Sequence, residues 1–234
     1  PALNEEKSLG RTLRCLSMLH PPALECIVVD GGSTDATVKI ARAAGVRVLK
    51  EKPGRSGQLN AGARKAKGDI LCFVHADTLV PDDLVEILRR TLADSRIALG
   101  GFISLMTGPN RTRWGTSFHN FIKTYYAPLF FRPLLFLRGG RLLFGDQVLF
   151  CRRADFLEVG GFNPNLPIME EADLCIKLTR LGRIKQLNRV VQSSDRRVAR
   201  WGAVKANAIY LYIGFLWGLG VSADFLKKAY KDVR

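Results

Sequence analysis

Three acids in the first third of the chain, Asp30, Asp35 and Asp77, stand at or just past the ends of short apolar runs. Asp30 closes ECIVVD (25–30), and Asp77 lies two residues beyond His75, the last residue of ILCFVH (70–75). If the two runs are strands of one open parallel sheet, the carboxylates of Asp30 and Asp77 face the crevice beyond the strand ends, where such sheets bind ligands. Two carboxylates side by side suit a hard divalent cation that bridges phosphate oxygens. Asp35 has another reading as a helix cap, and Asp77 as the start of a turn.

The elements that must hold these residues alternate. ECIVVD is followed by Gly31-Gly32-Ser33-Thr34-Asp35 and then by apolar residues at helical spacing up to Gly45, which reads as strand, turn and helix. VRVL (46–49) predicts a second strand, 56–67 a helix, and ILCFVH a strand buried on both faces. Pro81, Asp82, Asp83, Leu84, Ile87, Leu88 and Leu92 predict a helix over 81–93, with Pro81 at its first position. A strand follows at 98–105. Strand alternating with helix implies an α/β fold with a mostly parallel sheet flanked by helices. Residues 111–144 mix Arg with nine aromatics and predict either an excursion that covers the core or a surface for an apolar partner. Beyond them, 148–151 predicts a strand, 170–181 a helix and 189–192 a strand. The tail 203–221 is apolar, but its Lys205, Asn207 and glycines make it a poor membrane span.

The 234 residues carry 36 Lys+Arg against 21 Asp+Glu, a net charge of +15, with 47% apolar residues. That composition excludes a disordered tail, a collagen-like fibre and a disulfide-stapled mini-protein. A chain so basic calls for an anionic partner, whether nucleic acid, an anionic bilayer or a phosphorylated small molecule. Nucleic acid rests on charge alone, and the acids at the strand ends argue against it. No G-x-G-x-x-G or G-x-x-x-x-G-K-[ST] motif supports a dinucleotide oxidoreductase or a P-loop ATPase. The five cysteines form no C-x-x-C pair, which points to a reducing compartment, and the opening residues do not read as a signal peptide.

Six segments, in order, resemble the family 2 glycosyltransferases of GT-A fold, in a compact single-domain form. Pro1-Ala2-Leu3-Asn4-Glu5-Glu6 resembles the P-x-x-N-E-E loop after the family's first strand, and Val28 to Asp35 its V-D-D/G-G/S-S-x-D signature. Gly54-Arg55 through Gln58-Leu59-Asn60 is similar to the segment along the nucleotide. His75-Ala76-Asp77 stands where D-x-D belongs, with His75 in place of the first Asp. Gly160-Gly161-Phe162 with Glu170-Glu171-Ala172-Asp173-Leu174 is similar to G-G-F…E-D-x-D-L, with Glu171 at the general-base position; Arg196-Arg197-Val198-Ala199-Arg200-Trp201 resembles Q-R/Q-x-x-R-W.

The resemblance implies an inverting, metal-assisted transfer of a sugar from a nucleoside diphosphate, UDP- or GDP-linked, to an acceptor hydroxyl. It implies nucleotide-sugar contacts from Pro1, Ala2, Glu5, Asp30, Arg55, Gln58, Asn60, His75 and Asp77, with Asp77 the ligand of Mn²⁺ or Mg²⁺. Arg196, Arg197, Arg200 and Trp201 are expected at the diphosphate or acceptor, where guanidinium groups suit phosphate. Glu171, with Glu170 beside it, is the candidate base, because an acceptor hydroxyl needs a carboxylate to remove its proton; either acid could also simply complement the helix dipole. Asp146 could contact the acceptor or sit in an ordinary turn, and His119 could be a metal ligand or a packed residue. The competing function is a noncatalytic nucleotide-sugar-binding protein on the same fold. The expected organisation is a catalytic domain at 1–202, with a nucleotide half 1–105 and an acceptor half 106–202, followed by an apolar helical segment at 203–234. The expected setting is intracellular, in cytoplasm or plastid stroma, with an anionic membrane surface and a lipid-linked acceptor as further candidates suggested by the tail and the charge.

Overall fold

The computed structural model describes residues 1–109 and 111–229. Its elements are α1 (Leu9–Ser17), β1 (Ile27–Asp30), α2 (Thr37–Ala43), β2 (Arg47–Lys50), α3 (Arg55–Lys65), β3 (Ile70–Phe73), α4 (Leu84–Leu92) and β4 (Ile97–Thr107). There follow α5 (Trp114–Phe131), α6 (Pro133–Leu137), a 3-10 turn at Gly145–Gln147, β5 (Leu149–Arg152), α7 (Arg153–Glu158), α8 (Glu170–Leu178), β6 (Arg183–Ser194), α9 (Arg196–Trp201), α10 (Ala203–Gly218) and α11 (Ala223–Ala229). Residues 230–234 of the expected C-terminal segment lie outside the described residues.

The α/β class holds, and the sheets are mixed. β1 and β2 pair in parallel, and Ala2 extends that pair through Ala2 N to Val29 O and Gly31 N to Ala2 O, both 2.9 Å. The larger sheet has the order β3-β5-β4-β6, in which β5 runs antiparallel to both neighbours and β4 and β6 are parallel. β3 is therefore paired antiparallel and alternates half-buried with buried residues, rather than being buried on both faces. Gly100 of β4 lies opposite Phe150 of β5, where a Cβ would come within 2.1 Å of the ring, so only glycine lets that ring fill the core.

Apolar residues cover both faces of this sheet. On one, Phe73, Phe156 and Phe162 pack with centroids 5.0–5.5 Å apart beside Leu143, Leu174 and Leu178. On the other, Phe102 and Phe150 meet Leu84, Leu88 and Leu92 of α4. That helix begins at Leu84; Pro81 precedes it, and Asp82 and Asp83 form a turn. β6 is far longer than the strand expected at 189–192 because β4 templates it through Thr107↔Ser194.

The 111–144 excursion is mostly helix, and α5 is inverted. Thr116, Ser117, Asn120 and Thr124 are buried, whereas Trp114, Phe118 and Phe130 are 62–72% exposed. α10 likewise buries only Ala206 and Ile213. Among the described residues no helix is long and apolar enough to cross a membrane.

Candidate functional site

The site lies where the ends of β1 and β3, the 3-10 turn and the starts of α8 and α9 come together. Asp30 is buried, and its carboxylate accepts the backbone N–H groups of Gly32 (3.0 Å) and Ser33 (3.2 Å), which fixes the turn after β1. Asp35 lies one residue before the N-cap position of α2, Ala36, and its carboxylate accepts Thr37 N, the first N–H of that helix, at 2.9 Å and Glu6 N at 3.1 Å.

Past β3 the loop 74–80 is fastened to β6 by a reciprocal pair of backbone bonds between Leu79 and Gln192, 2.8 and 2.9 Å long. This sets Asp77 beside Glu5 and Arg196. The Arg196 guanidinium takes Glu5 with both arms, at 2.8 and 2.6 Å, and reaches Asp77 at 2.9 Å. Burial raises the Asp77 pKa, and Arg196 opposes that rise. Two carboxylates meeting at one cationic group form a hard oxygen donor set of the kind that Mn²⁺ and Mg²⁺ accept, so the residues fit such an ion. Among the described residues no three His, Cys, Asp or Glu side chains are placed to hold a metal ion together. Most of the ion's ligands would therefore come from diphosphate and water, as is usual for magnesium sites.

A second group of residues faces the first across His75. Glu170 and Glu171 open α8 and are buried; Arg55 lies 3.1 Å from Glu170 and 3.4 Å from Glu171. Burial, and then the charge of Glu170, push the Glu171 carboxyl up to about 7 against the pull of Arg55. Gly145 is the hinge of this arrangement: a Cβ there would sit 2.5 Å from both Glu171 Oε1 and the His75 ring. Burial holds His75 well below the usual imidazole range, so it is neutral. Asn120 of α5 donates to Asp146. Half-buried Lys123 has its pKa lowered to about 8 by desolvation, while Asp146 and Glu171 resist that fall. Met169, immediately before the acidic pair, is left-handed at φ 67°, a strained conformation for a residue with a side chain. Glu170 Oε2 is buried with no partner among the described residues.

Two residues expected to contact the nucleotide, Gln58 and Asn60, bond to backbone. Gln58 donates to Ala2 O (2.9 Å) and Val29 O (2.8 Å), and Asn60 exchanges two bonds with the backbone of Phe162 at 2.8 and 3.0 Å. Both amides are committed to holding backbone, so they position the site rather than line it. Arg197 lies over Trp201 at 5.8 Å, and Trp201 packs near Tyr210; Arg200 is exposed. His119 is a packed residue, bonded to Asn207 Oδ1 and Tyr126 Oη. Sequence reasoning missed Lys123, Asn120 and Gly145, and only the Gly-Asp-Gln turn before a strand hinted at the last.

The model for glycosyl transferase family 2 matches residues 1–160. A glucosyl-3-phosphoglycerate synthase of Mycolicibacterium smegmatis is 35% identical over 94 residues, which is 36% of this chain and 31% of that protein. A dolichyl-phosphate beta-glucosyltransferase of Drosophila melanogaster is 36% identical over 137 residues, 48% of this chain and 42% of that one. The chain thus spans about a third to two fifths of the length of these relatives. Among solved structures, the Mycobacterium tuberculosis glucosyl-3-phosphoglycerate synthase with Mn²⁺, UDP-glucose and phosphoglyceric acid superposes with a TM-score of 0.65 at 25% identity, covering 94% of this chain and 78% of that one. A Pyrobaculum calidifontis mannosyltransferase with GDP-mannose and Mn²⁺ superposes with a TM-score of 0.68 at 20% identity, covering 100% of this chain and 63% of the other. Motif order, the GT-A fold and a family match over two thirds of the sequence agree: the chain belongs to glycosyl transferase family 2.

Proposed function

We propose that the protein transfers a sugar from a UDP- or GDP-sugar to an acceptor hydroxyl with inversion at the anomeric carbon. The observation that carries this reading is Glu171: a buried carboxyl with its pKa near 7, pressed against Gly145 and His75 across from the Asp77–Glu5–Arg196 group. A carboxylate so tuned removes a hydroxyl proton at neutral pH. The acceptor oxygen then bonds to the anomeric carbon on the face opposite the diphosphate, the bond from that carbon to the diphosphate oxygen breaks, and its electron pair leaves with the nucleoside diphosphate. Asp77 would hold Mn²⁺ or Mg²⁺, which when bound offsets the charge developing on the leaving phosphate. Arg196, already paired with Asp77, and Arg197 lie close enough to the site to add positive charge there. Asp30 serves the nucleotide base and Arg55 the acidic pair, while Asp146 and Lys123 border the acceptor side.

Support for this reading comes from the relatives, whose structures hold UDP-glucose or GDP-mannose with Mn²⁺. The proposal extends to the organisation as a catalytic part over 1–202 and an apolar extension beyond it. The five free cysteines support a reducing compartment, cytoplasm or plastid stroma. Thermal shift against a panel of nucleotide sugars tests the donor half. The expected result is a rise in Tm with a UDP- or GDP-sugar in Mn²⁺ that EDTA abolishes; no shift with any member of the panel contradicts it.

A further inference from the structure

We propose that the acceptor is an amphiphile, a hydroxyl carried on a hydrocarbon chain, and that its chain lies in the cavity between α5 and α10; this rests on the transferase reading above. The cavity has a volume of about 340 Å³ and is lined almost wholly by apolar side chains, among them Tyr126, Phe131, Phe144, Met169, Phe215 and Trp217. That is the low end of the range for small-molecule sites.

Three observations join it to the chemistry. Phe144 immediately precedes Gly145, the residue in contact with Glu171 and His75, and Met169 immediately precedes Glu170. Lys123 also lines the cavity: its ammonium sits 3.6 Å over the Phe144 ring and interacts with the charges of Asp146 and Glu171. The apolar space therefore ends at the acidic groups, as a molecule with a reactive polar head and an apolar tail requires. The surrounding surface carries the same character. Of the lining residues, Phe130, Leu211 and Phe215 are also half or more exposed at the rim, and Trp114 and Phe118 of α5 face outward, so the approach to the cavity is apolar as well. A fully water-soluble acceptor would leave these surfaces without use.

The test reads chain binding without donor, metal or turnover. Gly214 lines the cavity, and a Cβ built there meets no heavy atom within 4 Å, so Gly214→Leu grows into the empty space rather than into a neighbour. Trp217 is the reporter, quenched by bromine at the end of an alkanol. In the wild type, 12-bromododecanol is expected to quench Trp217 and to bind far more tightly than 6-bromohexanol, by about fourfold for each methylene that enters the cavity. Gly214→Leu is expected to weaken dodecanol binding at least tenfold, and Trp217→Phe to remove the quenching. Equal affinity for the two chain lengths, undiminished binding in Gly214→Leu, or quenching that survives Trp217→Phe overturns the proposal. The chain-length comparison in the wild type decides the matter even if the leucine variant does not fold. Chain binding without any donor-induced thermal shift would sink the transferase reading and leave the cavity assignment standing, whereas a donor shift without chain binding sinks the assignment alone.

Discussion

Replacing Glu171 by Gln should make the protein more stable above neutral pH while removing its turnover. The carboxyl is pushed from 4.5 to about 7, first by burial and then by the Glu170 charge, with Arg55 opposing. Between those two values the folded protein keeps a proton that the unfolded chain has released, so this group's contribution to stability falls as pH rises from 4.5 to 7. Once ionisation is complete, near pH 8, the burden is about 3 kcal/mol at about 1.4 kcal/mol per pKa unit. A neutral amide avoids it but gives up the attraction to Arg55, leaving a net gain of about 1–3 kcal/mol. For a chain of this size that corresponds to a rise in Tm of about 2–10 °C at pH 8, most of it gone at pH 5. Turnover should fall by about 10²–10⁴-fold, the worth of a positioned base. Calorimetry at pH 5 and 8, with turnover on the same samples, measures both. A Glu171→Gln variant whose change in Tm is the same at the two pH values, or is a loss at pH 8, refutes the electrostatic reasoning. Full retention of turnover refutes the base assignment and moves it to Glu170 or Asp146.

Asp77→Asn should weaken Mn²⁺-dependent donor binding by at least about tenfold, measured by calorimetric titration with and without EDTA, since it removes one of the two carboxylates that would hold the ion. Gly145→Ala should leave donor binding in place and lower kcat by about 10²-fold, because its Cβ must displace Glu171 and His75 and about 1 Å of misplacement costs that much. Arg196→Ala should cost about 1–2 kcal/mol at pH 7, as it leaves Glu5 and Asp77 facing each other without their shared cation. Asp77, already raised by burial, then loses the cation that opposes that rise, so the deficit shrinks as pH falls towards 4, which urea melts at pH 4.5 and 7 would show.

The residues that a sequence reveals here are those whose local code and site position coincide. Asp30 is both the end of a β-branched run and the anchor of the Gly-Gly-Ser turn, and Pro1-Ala2 does pair beside β1. Glu170 and Glu171 read as a helix start, and the helix does start there. What the sequence conceals is long-range. Gln58 and Asn60 carry polar amides that suit a ligand, yet their partners are backbone groups 56, 29 and 102 residues away. Nothing local to Lys123 announces that α5 presents it to the acids of α8 and the 3-10 turn. The antiparallel β5 escaped because an apolar strand looks the same in either direction, and the length of β6 because its partner β4, not its own composition, extends it. The inverted α5 defeats the rule that aromatics go inside: its polar residues find partners within the fold, as Asn120 does at Asp146, while Trp114, Phe118 and Phe130 are left at the surface.

The central claim, that this crevice breaks the bond between a sugar and a nucleoside diphosphate under the control of Asp77 and Glu171, is tested most directly by following nucleoside diphosphate release from UDP-glucose and GDP-mannose. The assay compares wild type, Asp77→Asn and Glu171→Gln in Mn²⁺ and in EDTA, with a long-chain alkanol as acceptor. The account predicts release by the wild type in Mn²⁺ alone, with an alkyl glycoside of inverted anomeric configuration as co-product, and release reduced by about 10²-fold or more in both variants. Release that is indifferent to EDTA and to both substitutions, or a donor that binds in Mn²⁺ and is never consumed, would contradict it.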